Sequence, residues 1–243
     1  MELTGNFETV DSLPCLKSPV LDALVLSDIH IGIEIVQTSS GIYMPRVQTK
    51  SILEELKNAK EEAEVGNIIV NGDVKHSFTG RNSKENEELE GFLQNLSMMF
   101  EDVYLVKGNH DTALEHRTED FKNVHVYEEL VEDGYMFVHG HEKFDIPENV
   151  ETVVIGHEHP ALELKDKVGV KEKISCFLHG EIDEVNVIVL PAYSELASGT
   201  SINNIPKEKL LTPFLRKRGI KELKAVGIDR EGGLFKFPEI GRL

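Results

Sequence analysis

Six of the ten histidines in this chain fall within five short polar clusters. The clusters are Asp28-Ile29-His30, Gly72-Asp73, Gly108-Asn109-His110-Asp111, His139-Gly140-His141 and Gly156-His157-Glu158-His159. Each follows a short apolar run. Carboxylate, amide and imidazole groups crowded this closely make poor core, because each must find a hydrogen-bond partner or lose its solvation. A mixture of oxygen and nitrogen donors makes a good metal site instead, and it suits Mn, Fe or Zn without choosing among them. One Asp-x-His says little, and Asn-His-Asp alone would pass for a polar turn, since Asn and Asp are ordinary turn residues. The ordered series of five is what points to a metal centre.

Strands must bring these clusters to a common edge. Apolar runs at 21–27, 67–70 and 103–106 predict strands. The intervals between them predict an amphipathic helix over 47–65 (Val47, Ile52, Leu53, Leu56, Ala59, Ala63) and a second over 84–100 (Leu89, Phe92, Leu93, Leu96, Met99). Three strand–loop–helix units in a row indicate an α/β protein with parallel pairing, in which the carboxyl ends of strands face a cleft. The segment 31–45 reads as a long loop, and long ordered loops are often functional. It is expected to form a substrate wall, with Tyr43 or Arg46 contributing specificity. Beyond Asp111, short strands are expected at 124–127, 135–138, 152–155, 161–164, 174–178 and 185–190. A last helix follows over 206–218, then a closing hairpin of 225–229 with 234–237. No linker, repeat or low-complexity stretch divides the chain, so residues 1–243 read as one domain with two sheets.

Composition excludes several classes. With 40% hydrophobic residues the chain can bury a sizeable core. It holds no apolar run of about 18 residues, so no membrane span is expected. No basic segment leads into an apolar one at the start, and the two cysteines, Cys15 and Cys176, form no C-x-x-C pair. A reducing, cytoplasmic setting is the expectation. The net charge of −17 argues against a broad, salt-sensitive nucleic-acid footprint. It leaves room for a small phosphorylated substrate, because a bound metal ion outweighs the global field locally.

The five motifs, in this order between Asp28 and His159, resemble those of the calcineurin-type metallophosphoesterase superfamily. The resemblance implies a four-layer αββα sandwich of two mixed β-sheets flanked by helices, with two divalent metal ions at the strand ends. Mn is the first expectation, with Zn, Fe or Ni as alternatives. It also implies the ligand sets: Asp28, His30 and His159 for one ion, Asn109, His139 and His157 for the other, with Asp73 bridging them. His110 would be the catalytic group that donates a proton to the leaving oxygen, oriented by Asp111, while a hydroxide held between the metals attacks the phosphorus. Physical chemistry supports these roles: paired ions clamp the attacking and leaving oxygens and lower the pKa of water, and imidazoles must be neutral to coordinate. The surroundings (Asp73-Val74-Lys75-His76-Ser77-Phe78, Cys176-Phe177-Leu178, Leu190-Pro191-Ala192-Tyr193) are similar to a prokaryotic branch of SbcD-related predicted phosphoesterases.

The implied reaction is hydrolysis of a phosphoester, expected to be a phosphodiester of a nucleotide or nucleic acid. The alternatives are a phosphomonoesterase or nucleotidase with the same centre, and a scaffold that kept the fold without catalysis. Four residues are candidates for substrate contact: His76 and Lys75, which follow Asp73 closely, and Arg46 and Arg81 in loops. His141 reads as a neighbour of the ligands, while His116, His125 and His179 read as isolated. Glu158 is expected to point away from the metals, Cys176 to be a buried apolar residue, and the acidic run 85–90 to be a solvated helix face. Leu234, Phe235 and Phe237 in the final hairpin suit either core packing or a homodimer edge.

Overall fold

A computed structural model of the chain describes residues 1–78, 82–165 and 168–243. The expected strands at Ala23–Leu26 (β3), Asn67–Asn71 (β4), Val103–Val106 (β5) and Val124–Tyr127 (β6) pair parallel in that order. Two short strands that no periodicity announced, Glu8–Thr9 (β1) and Leu16–Ser18 (β2), extend the sheet antiparallel. The second sheet is mixed as well. Its parallel centre is Tyr135–Val138 (β8), Thr152–Ile155 (β9) and Val185–Val189 (β12). Leu130–Glu132 (β7) lies beside β8, and Lys171–Ile182 (β11) lies beside β12. The latter strand is long enough to pair with Pro160–Lys165 (β10) along its first part and with Lys224–Asp229 (β14) further on. Thr200–Ser201 (β13) and Gly233–Glu239 (β15) form the outer strands.

Alternation along β3 explains the layers. Leu24 and Leu26 pack into a cluster with Leu56, Leu89, Phe92 and Leu96 from helices Gln48–Ala63 (α2) and Ser83–Met99 (α3). Ala23 and Val25 turn the other way and meet Phe137, Val154, Phe177 and Ile188 of the second sheet. Burying each of these large side chains is worth roughly 1.5–3 kcal/mol relative to exposure. On the far face of the second sheet, Val153, Ile155 and Leu178 pack with Leu210, Leu215 and Leu223. The result is helix, sheet, sheet, helix, as the fold class requires.

Two expected elements differ. The segment 31–45 holds a helix, Ile33–Ser39 (α1), with Ile33 and Ile35 buried. The expected helix over 206–218 is two short pieces, a 3₁₀ turn at Lys207–Lys209 and a helix at Pro213–Arg218 (α5). Pro213 lacks the N–H that a continuous helix would need and takes the first helical position instead. A short helix, Glu115–Thr118 (α4), follows the third motif. Among the described residues no helix is long and apolar enough to cross a membrane. In the closing hairpin, Leu234 packs toward the inter-sheet core and Phe237 toward the outer core, while Phe235 is exposed.

Candidate metal centre

Four of the five motifs sit just past the ends of β3, β4, β5 and β8, and the fifth just past β9, on adjacent edges of the two sheets. Backbone bonds zip the first two motifs together: Asp28 N donates to Gly72 O (2.9 Å) and His30 N to Asp73 O (2.9 Å). The third is held by His110 N donating to Asp73 Oδ1 at 2.9 Å. The fifth is held by His157 N donating to Asp28 Oδ2 at 3.2 Å and Gly156 N to His139 O at 3.1 Å. Asn71, which the sequence reading did not single out, joins the sheets. Its Nδ2 donates to Val138 O (3.1 Å) and Val154 O (3.0 Å) across the interface.

Asp73 is the geometric centre. Its Oδ2 lies 3.4 Å from His139 Nε2, 3.8 Å from His110 Nε2 and 4.0 Å from His30 Nε2. On one side, Asp28, His30 and His159 bring one ligand atom each within 4.8 Å of one another, and on the other Asp73, His139 and His157 do the same. Asn109 Oδ1 joins the second group, 3.2 Å from His139 Nε2. A third grouping, His30, His76 and His110, meets the same distance limit. Asp28 Oδ1 is buried without a hydrogen bond although His159 Nε2 is only 2.9 Å away, and buried His30 Nδ1 has no partner either. An orphaned carboxylate oxygen set among imidazoles is what a cation would satisfy. The donors fit divalent metal ions.

The tautomers follow from the carbonyls. His139 Nδ1 faces Asn71 O at 3.2 Å and His110 Nδ1 faces His76 O. A carbonyl only accepts, so each Nδ1 carries the proton and each Nε2 faces the centre. The backbone is strained where the ligands sit: Asp28, His30, Asp73, His157 and His159 all have positive φ, between 44° and 61°. Non-glycine residues rarely adopt this region, and such strain gathers at functional sites. Glycines let the motifs approach. A Cβ on Gly108 would meet Asp73 Oδ1 at 2.0 Å, and one on Gly72 would meet His139 Nδ1 at 2.0 Å. Gly108→Ala is therefore expected to push Asp73 aside and reduce hydrolysis by about 100-fold, the cost of a misplacement on the order of 1 Å. Steady-state kinetics with metal content measured in parallel check this. Wild-type turnover in the variant would contradict it.

Charge and burial oppose each other here. Burial lowers the basicity of His30 and His157, and each is pushed down to about 4, so both stay neutral at physiological pH. Burial also disfavours charge on His139, but the hydrogen bond and charge of Asp73, with the charge of Asp28, outweigh it and push His139 up to about 9. Likewise burial works against the Asp28 carboxylate, yet His159 and His139 hold it well below the usual range. The metal-free cluster thus attracts a proton where a metal would supply the positive charge. A folded pKa above the ordinary 6.5 gives the metal-free protein stability that is complete below about pH 6.5 and is lost as pH rises through about 9. Metal uptake at neutral pH is expected to release about one proton per chain. Calorimetry in buffers of different ionisation enthalpy measures this directly, and release of no proton would show His139 already neutral.

Other expectations meet different geometry. Asp111 does not orient the His110 ring. Its buried carboxylate accepts from Gly108 N (2.9 Å), Val74 N (3.2 Å) and Lys75 N (3.2 Å), bracing two motif loops, and burial pushes it up to about 6. Lys75 is buried, and its ammonium donates to His110 O, Ser77 O and Thr112 Oγ1, so its donors hold the loop rather than face a substrate. His76 does stand at the centre, its ring 5.6 Å from that of His110 and 5.2 Å from that of His30. Arg46 is exposed just before α2 and contacts none of the cluster among the described residues, and Tyr43 is 85% exposed. Arg81 lies outside the described residues. His141 lies beside His139 and His157, at ring distances of 5.4 and 6.1 Å. His116 and His125 instead pair with Glu119 and Asp102. Cys176 is fully buried, and burial pushes its thiol up.

Two acidic residues are buried, one of them, Glu85, within the run expected to be a solvated face. Glu85 is buried and accepts from Ser77 N at 2.7 Å, fixing the loop beside His76. Glu34 is buried and accepts from Val47 N and Gln48 N at the start of α2. Phe78, also missed, stacks on His110 with ring centroids 3.8 Å apart while remaining 54% exposed. Its only sequence signal was an aromatic residue five positions after a candidate ligand.

The sequence profile of calcineurin-like phosphoesterases matches residues 21–221, and the chain belongs to that family. It is accordingly a metal-dependent hydrolase of phosphoesters. Among solved structures, the nuclease MPE of Pseudomonas putida is similar over 98% of both chains, with 20% identity and a TM-score of 0.64, a likeness of fold. YfcE, a phosphoesterase from E. coli, is similar over 85% of this chain and 87% of its own, with 15% identity and a TM-score of 0.41. No curated protein matches the chain.

Proposed function

We propose that the protein is a binuclear phosphodiesterase, acting on a nucleotide or nucleic acid through a centre built by residues 28–159 of a single domain spanning 1–243. The observation that carries the reading is Asp73 Oδ2, set among imidazoles of both ligand groups. A shared carboxylate suits two dications because its charge offsets their repulsion. Asp28, His30 and His159 would hold one ion and Asn109, His139 and His157 the other, with Asp73 common to both, and Mn is the first choice. When bound, the ions supply Lewis acidity and a nucleophile drawn from water at neutral pH.

The chain's own residues do the rest. His110, its Nδ1–H fixed on His76 O, presents Nε2 toward the centre and, as the imidazolium, gives the Nε2 proton to the departing oxygen, returning to the neutral Nδ1–H ring. Phe78 and His76 flank its ring and hold its orientation. Asp111 and Lys75 hold the two loops that carry His110 and Asp73.

The test is hydrolysis by metal-free protein reconstituted with Mn, Zn, Ni or Mg, comparing bis-p-nitrophenyl phosphate with p-nitrophenyl phosphate. Metal-dependent cleavage that favours the diester is expected. Preference for the monoester would move the assignment to a phosphatase, and bound metal without turnover of either would favour a scaffold.

A further inference from the structure

The charge of this chain is unevenly spread. Between Lys207 and Lys224 it holds seven lysines and arginines against two glutamates, Glu208 and Glu222, within a protein of net charge −17. All seven cations are exposed. Among the described residues only Arg218 is engaged in an ion pair, with Asp183.

This segment is fastened to the metal centre at its middle. Glu158, which stands between His157 and His159, is fully buried, and its carboxylate accepts from Leu211 N at 3.2 Å and Thr212 N at 3.0 Å. Thr212 also lies against the fourth motif, since a Cβ on Gly140 would meet Thr212 Cγ2 at 3.2 Å. Helix α5 therefore starts in contact with the loops of both His139 and His157/His159, and its six residues span about 9 Å. The 3₁₀ turn at Lys207–Lys209 packs against it. Arg216 and Lys217 consequently lie within about 10 Å of a loop that carries candidate ligands.

We infer that this basic segment is a docking surface for the phosphate backbone of a nucleic-acid strand whose scissile phosphate occupies the His/Asp centre. The inference rests on the phosphodiesterase reading and narrows its substrate to a polyanion. The phosphates flanking a cleaved bond in a strand would extend beyond the centre toward these cations. The acidic remainder of the surface does not prevent this. At physiological ionic strength charges beyond about 8 Å are largely screened, so the cations beside the centre set the local potential. The neighbouring cleft of about 710 Å³ carries Lys143, Lys217 and Arg218 along with Asp145, Glu148 and Asp183, so the cations of the segment that lie outside it are Lys207, Lys209, Arg216, Lys221 and Lys224.

The experiment compares wild type with Lys209→Glu/Arg216→Glu/Lys217→Glu, three exposed residues without ion-pair partners among those described. Both reconstituted proteins are assayed on a single-stranded oligonucleotide and on bis-p-nitrophenyl phosphate over a range of salt. The variant is expected to lose about tenfold or more in kcat/KM on the oligonucleotide at low salt and nothing on the small diester. Its logarithmic salt dependence should be shallower by about 0.7 for each phosphate contact removed. An unchanged oligonucleotide rate, with the small diester still cleaved, overturns the inference. If wild type cleaves no diester with any metal, the phosphodiesterase reading fails by itself. The surface is then read by fluorescence anisotropy of labelled oligothymidylate on the metal-free proteins. Binding weakened about tenfold in the variant supports the surface. Equal binding by both proteins, or association only with anionic phospholipid vesicles, overturns it.

Discussion

Asp73→Asn is expected to lower kcat/KM on a diester by more than about 100-fold and to leave the protein with one metal ion or none. Partners that merely orient metal ligands already account for 10–100-fold, and Asp73 stands closer than that. Its Oδ2 is 3.4 Å from His139 Nε2 and 4.0 Å from His30 Nε2, facing both candidate ligand groups. Asparagine keeps the size but removes the charge that two dications share. In the orientation that keeps Oδ1 on His110 N, it also turns an NH₂ donor toward the centre. Because that backbone bond survives, the loop should persist, although the metal-free protein loses the Asp73 charge that favours protonated His139. Metal analysis beside kinetics reads the result. Full metal occupancy with wild-type turnover would remove Asp73 from the centre.

His110→Asn should separate metal binding from catalysis in the opposite sense. The variant is expected to keep its metal while losing about 10²–10⁴-fold in kcat on a substrate whose leaving group is an alkoxide, the usual contribution of a positioned acid. With p-nitrophenolate, which leaves without a proton, the loss should be clearly smaller. The same loss on both substrates would contradict the proton-donor role. Loss of an ion would assign His110 to the grouping with His30 and His76, which the distances also permit.

The parallel strands were legible because they are buried on both faces and read as unbroken apolar runs, as in Ala23–Leu26 and Val103–Val106. Strands of two or three residues, such as β1 and β13, carry no such signal. The candidate ligands were legible as types and spacing, since strand ends deliver them in chain order. What the sequence hid is the long-range hydrogen bonding around them. Asp111, adjacent to His110 in sequence, suggested a partner for its ring, yet three backbone N–H groups from two loops take that carboxylate. Glu85 looked like one more acid on a solvated helix, and only the packing of α3 against the loop at Ser77 buries it. The left-handed backbone at Asp28, His30, Asp73, His157 and His159 was equally invisible, because Asp and His tolerate it more readily than most residues but only the assembled network selects it.

The most direct test is anomalous diffraction from crystals of the protein soaked in Mn. Two peaks about 3.5–4 Å apart are expected, the spacing of a binuclear centre. One should lie by Asp28, His30 and His159, the other by Asn109, His139 and His157, with Asp73 between them. A single peak, or an ion held by His30, His76 and His110 away from Asp73, would contradict the binuclear account.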